Sequence, residues 1–135
     1  MKSAEQWLSR VPINSVSAAA SLLLAMSGDP GLAAKSRRDE CLTMIGRAQT
    51  KDGGWGPYAD SPPEVFDTAL VLLALAKAKP VAVEDRVHRA RNFLATQQEP
   101  DGGWPATTRP PGGESYAQRL STTGWATLAL LATRE

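Results

Sequence analysis

The sequence predicts an all-α chain of stacked helical pairs, and three observations predict it. A seven-residue motif occurs twice at a fixed spacing, a nearly apolar helix follows each copy, and amphipathic helices lie between them. The chain has 135 residues, enough for one domain with one core, so residues 1–135 are read as a single partial repeat domain. Its 15 basic and 14 acidic residues nearly cancel, and no basic stripe interleaved with aromatics is present, which excludes nucleic acid as an expected partner.

The motif Gln49-Thr-Lys-Asp52-Gly53-Gly54-Trp55 recurs as Gln98-Glu-Pro-Asp101-Gly102-Gly103-Trp104, with Gln, Asp and Trp each displaced by 49 positions. A period near 50 marks a stacked supersecondary unit. Paired glycines after Asp are expected to take positive φ and turn the chain sharply, with Trp burying a large flat surface against the turn. Gln at the end of the preceding helix is expected to bond backbone groups that the helix terminus leaves unpaired. The ten motif residues are therefore read as structural, with Trp55 and Trp104 as liners of a ligand surface being the competing reading.

Taken in order, the first element is Ser15 to Met26, whose Ser17–Ala25 run is a degenerate copy of the apolar helix, stopped by Ser27-Gly28-Asp29-Pro30-Gly31. Ser36 to Ala48 is amphipathic, with Cys41, Ile45 and Ala48 inward and Arg37, Arg38, Asp39 and Glu40 outward. Pro62 to Lys77 is apolar on every side, which a helix tolerates only when surrounded; Ser61 is expected to cap it, with Pro62 at the first helical position and Glu64 reaching back. Val83 to Gln97 places Val83, Val87, Ala90 and Leu94 on one side and Glu84, Asp85, Arg86, Arg89 and Arg91 on the remainder. Leu120 to Thr133 contains the second apolar copy, after a loop lengthened around Arg109-Pro110-Pro111-Gly112-Gly113. Alternation of half-wet and apolar helices argues for an outer layer around an inner one, the three apolar segments being the more buried.

The stretch Arg89-Ala90-x-x-Phe93-Leu94-x-x-x-Gln98-x-x-x-Gly102-x-Trp104 resembles, at every position, the repeated signature of the squalene-hopene and oxidosqualene cyclases. The earlier copy keeps Ile45, Gln49, Gly53 and Trp55 but has Met44 where an aromatic is usual. The resemblance covers the chain from about Ser15 onward. It implies an α/α toroid of inner and outer helices, stapled between neighbouring repeats by the motifs, of which this chain holds about two and a half repeats of an incomplete ring. It also implies a C-terminal portion of a terpene-cyclase-like protein.

These cyclases open their reaction with the middle aspartate of an Asp-x-Asp-Asp-Thr-Ala segment at the start of an inner helix. Glu64-Val65-Phe66-Asp67-Thr68-Ala69 is similar in register, but Phe66 occupies the acid position. Protonating an alkene needs a carboxylic acid, and a phenyl ring has no proton to give. Asp67 and Glu64 are then the remaining catalytic candidates, against a plainer reading as N-terminal dipole charge and cap partner. Phe66 and Trp125 are the candidates for contact with an apolar substrate or a cation.

The related prenyltransferases hold zinc with Asp, Cys and His, but this chain has one Cys, Cys41, and one His, His88, both on expected outer helices. Neither a metal nor another cofactor is expected. The expected partners are an apolar small molecule, the missing repeats or another copy of the chain, and peripheral contact with a membrane. Ser15 to Met26 is too short to span a bilayer, and the expected location is cytoplasmic with a membrane-associated form left open. Three functions stay open: a terpene-cyclase-like protein acting on an isoprenoid and not competent alone, a noncatalytic binding or assembly module, and a toroidal enzyme with a carbohydrate substrate.

Overall fold

The structure, a computed structural model, describes residues 6–27, 32–106 and 115–134. Its described elements are α1 (Val16–Ala25), α2 (Leu32–Ala48), α3 (Val65–Ala78), α4 (Glu84–Thr96) and α5 (Tyr116–Ala132), preceded by a helical turn at residues 6–8; no strand occurs among the described residues. The expected stop at residues 28–31 and the lengthened loop around residues 109–113 lie outside the described residues.

Two layers follow from who packs on whom. Helix α3 packs against α1 on one side and α5 on the other, while α2 packs on α1 and α4 on α3. This is the inner and outer arrangement of an α/α toroid, with inner helices α1, α3 and α5. Asp67, Thr68, Ala69, Val71, Leu72 and Ala74 of α3 have no solvent exposure at all, which explains why that helix has no polar face. On the outer helices the apolar stripe alone is buried: Cys41, Met44, Ile45 and Ala48 on α2, and Ala90, Phe93 and Leu94 on α4.

Caps set the helix starts. Ser15 caps α1 by accepting from the Ala18 amide at 3.0 Å. The expected start of α3 at Pro62 is corrected: the helix begins at Val65 with Glu64 as N-cap, and the Glu64 side chain makes no capping hydrogen bond. The Glu64 amide instead donates to Trp55 O at 2.9 Å, so the prolines extend the loop that seats the tryptophan. Helix α5 starts a turn earlier than expected because Ser115 and Gln118 form a reciprocal capping box.

Two expectations about exposure also change. Arg37, Arg38, Arg86, Arg89 and Arg91 are half-buried rather than outward: Arg37 donates to Val11 O at 2.5 Å and Arg38 to Met26 O. A guanidinium on a flexible stem can lay its methylenes on apolar surface while its tip satisfies backbone carbonyls. The second correction concerns α5, which is less buried than its apolar composition suggests. Only Thr122, Ala126 and Ala129 are buried on it, whereas Leu120, Leu128 and Leu131 are 60%, 54% and 45% exposed. Its inward face meets α3, and no described helix covers the opposite face.

Candidate functional site

Both motif copies build the same turn. In the first, Gly53 N donates to Thr50 O at 3.0 Å and Thr50 N to Gly54 O at 3.0 Å; in the second, Gly102 N donates to Glu99 O at 2.8 Å and Glu99 N to Gly103 O at 2.9 Å. The first glycine of each pair has positive φ, 91° at Gly53 and 88° at Gly102. The second does not, which corrects the expectation for the pair. Gly54 is required by space: a Cβ there would sit 2.8 Å from the Phe93 ring and 2.9 Å from Pro63.

Tryptophan, not glutamine, satisfies the helix terminus. Trp55 Nε1 donates to Ile45 O at 2.8 Å and Trp104 Nε1 to Leu94 O at 2.8 Å, each a carbonyl in the last turn of the outer helix. Gln49 Nε2 donates to Gly53 O at 2.8 Å and Gln98 Nε2 to Gly102 O at 2.9 Å, so each glutamine locks its own turn. Gln49 also reaches the next outer helix, donating to Arg86 O at 3.0 Å and accepting from Arg89 at 2.7 Å. Arg86 in turn donates to Gly46 O at 2.6 Å. These bonds join neighbouring repeats through backbone carbonyls and one neutral side chain. Arg91 extends the same device to the inner layer, donating to Leu130 O at 2.8 Å and Thr133 Oγ1 at 2.7 Å.

A threonine of the following inner helix completes each staple. Thr68 Oγ1 accepts from Trp55 N at 2.9 Å and donates to Trp55 O at 3.2 Å; Thr123 Oγ1 accepts from Trp104 N at 3.0 Å. Trp55 has no exposure and Trp104 has 3%. Neither ring offers a face to a ligand in this conformation. The aspartates are less alike: Asp52 is exposed, while Asp101 accepts from Gly103 N at 3.0 Å and pairs with Arg119 at 2.8 Å. The hydrogen bond from Arg119 holds the Asp101 carboxyl below its ordinary range.

At the start of α3 the four chemical candidates separate. Phe66 points to α5, its ring edge-on to Trp125 with centroids 6.0 Å apart and planes at 83°, a favoured aromatic geometry. Both rings are partly exposed, so this pair is the one aromatic surface among the candidates that a ligand can reach. Asp67 points elsewhere. Its carboxylate is fully buried and accepts from Ser17 Oγ of α1 at 2.6 Å. Glu64 is half-buried outside the helix. The structure therefore brings Phe66 and Trp125 together, buries Asp67 against Ser17 and leaves Glu64 at the N-cap.

Comparison with known proteins bears on this arrangement directly. The squalene-hopene cyclase C-terminal domain profile matches residues 11–135. The chain belongs to that family. It is also similar to a drimenyl diphosphate synthase of Streptomyces showdoensis, 32% identical over 66 residues, a stretch covering 49% of this chain and 12% of that protein. The chain thus spans a small part of the relative it matches.

For a member of the squalene-hopene cyclase C-terminal domain family, the polar residues that the sequence left unremarked are Ser17 and Thr122. They occupy the positions on α1 and α5 equivalent to Asp67 on α3, as the aligned runs Ser17–Ala25, Asp67–Leu75 and Thr122–Leu130 place them. Thr122 is fully buried and its hydroxyl makes no hydrogen bond. The aligned runs carry this polar row, but their shared apolar character drew the reading away from it.

Cys41 and His88 stand far apart in character. Cys41 is fully buried, and burial pushes its thiol up to about 11, against the opposing charge of Arg37. His88 is exposed and bonded to Asn92 at 3.1 Å. Among the described residues no three His, Cys, Asp or Glu side chains gather as a metal would need, and no helix is long and apolar enough to cross a membrane. We expect a thiol reagent at pH 8 to leave folded Cys41 unlabelled and to modify it fully in denaturant, since only the thiolate attacks; labelling at equal rates in both states would refute its burial.

Proposed function

We propose that this chain is a terpene-cyclase-like repeat unit that engages an apolar isoprenoid and does not cyclise squalene by itself. The observation that carries this reading is Phe66 in the register position of the family's proton donor, beside a carboxylate that no substrate can touch. Asp67 has no exposed surface and is bonded to Ser17, so an alkene cannot come within contact distance of it without the inner helices separating. Glu64 is reachable, but it sits at the N-cap outside the helix, and Phe66, not Glu64, holds the register position of the family's acid.

What the chain retains is the apolar contact surface. Phe66 and Trp125 present ring edges and faces of the kind that accept an isoprenoid chain, and the similarity to a synthase of drimenyl diphosphate supports an isoprenoid over a sugar. The inner layer is open on the far side of α5, and water reaching a carbocation would quench it. The missing repeats, in the same polypeptide or supplied by association, are the partners this reading requires; peripheral contact with a membrane would deliver the apolar ligand.

Incubation of the purified chain with squalene in detergent, with products read by mass spectrometry, tests the reading. No cyclised triterpene is expected. A product that vanishes in Asp67→Asn would assign the acid to Asp67, and one that survives there but vanishes in Glu64→Gln would assign it to Glu64; either outcome overturns the proposal. Quenching of Trp125 fluorescence by an isoprenoid alcohol, lost in Phe66→Ala, is the expected sign of retained binding.

A further inference from the structure

We infer that the open face of α5 docks head-to-tail onto the open face of α1 in a second copy of this chain. The inference rests on the reading that the chain by itself is an open part of the helical layer, and it is independent of the ligand. Its starting point is the internal repeat. Each inner helix has two contact faces at equivalent positions, and the molecule shows each face both covered and uncovered.

The face that receives the preceding helix is Asp67, Val71 and Ala74 on α3, all without exposure, and Thr122, Ala126 and Ala129 on α5, likewise without exposure. On α1 the same positions are Ser17, Ser21 and Leu24; Ser17 is turned to α3 by its bond to Asp67, Leu24 is partly buried, and Ser21 is exposed together with Ala25 beside it. The face that receives the following helix includes Phe66 and Ala69 on α3, which lie under α5 through the Phe66–Trp125 contact. Its counterpart on α5 is Ser121 and Gly124, both exposed, together with exposed Leu120 and Leu128. The described residues therefore contain an interface used internally between consecutive inner helices, and among them its two counterpart halves on α1 and α5 are not covered by another helix.

Chemistry suits these halves to each other. Helix α1 carries no charged residue, and α5 carries only Arg119, which is held by Glu99 and Asp101 away from the leucine face. Bringing the faces together desolvates no charge. Size is complementary too: α5 offers leucines flanking Gly124, where a Cβ would meet nothing within 4 Å, and α1 offers small Ser21 and Ala25. Exposed leucines at helical spacing on an uncharged face are the kind of patch a soluble chain covers by association. A contact of this type is heterologous, so it closes into a ring or continues as a fibre, according to its rotation.

Light scattering and sedimentation of the purified 135-residue chain supply the test. Wild type is expected above 14.4 kDa, as a discrete multiple if the contact closes into a ring and as a concentration-dependent series if it continues. Ser21→Glu and Leu128→Glu should each dissociate it to the monomer with an unchanged helical spectrum, because both positions are exposed within one copy. Mixing the two variants should restore a two-chain species, since one intact α5 face then meets one intact α1 face. Gly124→Trp keeps the test sound if a glutamate disturbs folding: the added ring enters open space in the monomer and blocks only docking. A monomeric wild type overturns the inference, and so does association that survives Ser21→Glu, which would mean that α5 faces pair with each other. Neither outcome bears on whether the chain makes a cyclised product, so the two readings fail separately.

Discussion

Trp55→Ala should lower the unfolding free energy by about 3–5 kcal/mol, the range for removing a fully buried large aromatic. For a chain of this size that corresponds to a fall in Tm on the order of 10–20 °C. Two losses combine. The indole is completely buried in the core between α2 and α3, and its N–H is the donor to Ile45 O at the end of α2. Trp55→Phe separates them: the ring volume is largely kept and the donor is lost, so about 1–3 kcal/mol is expected for the carbonyl left without it. Trp104→Ala should behave similarly, given the matching bond to Leu94 O. Equilibrium unfolding in urea reads all three variants. A variant whose midpoint barely moves while isoprenoid binding disappears would make the tryptophans part of a ligand surface instead.

A second large effect is expected at the motif glycines, and it should be unequal. Gly53 and Gly102 share a left-handed backbone that costs an alanine about 1–2 kcal/mol. At Gly53 the new Cβ would also fall 2.6 Å from Arg89 O and 3.0 Å from Arg89 Cβ, which are backbone and stem atoms of α4 that cannot swing aside. Overpacking of that kind adds about 1–3 kcal/mol. At Gly102 a Cβ meets nothing within 4 Å, so only the backbone term remains. Gly53→Ala should therefore destabilise clearly more than Gly102→Ala. Equal losses would show that the first turn is not pressed against the next outer helix, and the staple between repeats would have to be redrawn.

Most of the layer structure was legible because it rests on patterns that repeat. The two motifs fixed the period, and a helix with no wet face can only be an inner one, which located α3 and placed Trp55 and Trp104 in the core. Cap chemistry is legible in principle but ambiguous at α3, where Ser61-Pro62-Pro63-Glu64 resembles a helix start and instead shapes the loop around Trp55. Long charged side chains misled for a different reason. Charge alone points Arg86, Arg89 and Arg91 to solvent, yet their targets are carbonyls at helix ends and the Gln49 side-chain carbonyl, partners that no local periodicity reveals. The openness of α5 was illegible because composition reports what a face can bury, not whether anything arrives to cover it.

At the chemical end of α3 the sequence has Phe66 in the register position of the family's acid, and the geometry turns its neighbour the other way. Asp67 is turned to α1 and locked under it by Ser17, while Phe66 is turned to α5. That division follows from helical advance, about 100° per residue, but the Ser17 partner, 50 residues away in sequence, required the packed inner layer to become visible.

The central claim is that each motif tryptophan is a buried clamp on the end of an outer helix, equivalent in the two repeats. The chain has four tryptophans, so hydrogen exchange of the four indole N–H signals by NMR reads the claim in one experiment. The Trp55 and Trp104 signals are expected to exchange slowly, protected by the bonds to Ile45 O and Leu94 O, while Trp7, 65% exposed, exchanges at the rate of a free indole. Exchange of Trp55 and Trp104 as fast as Trp7 would contradict the clamp and with it the structural reading of the motifs.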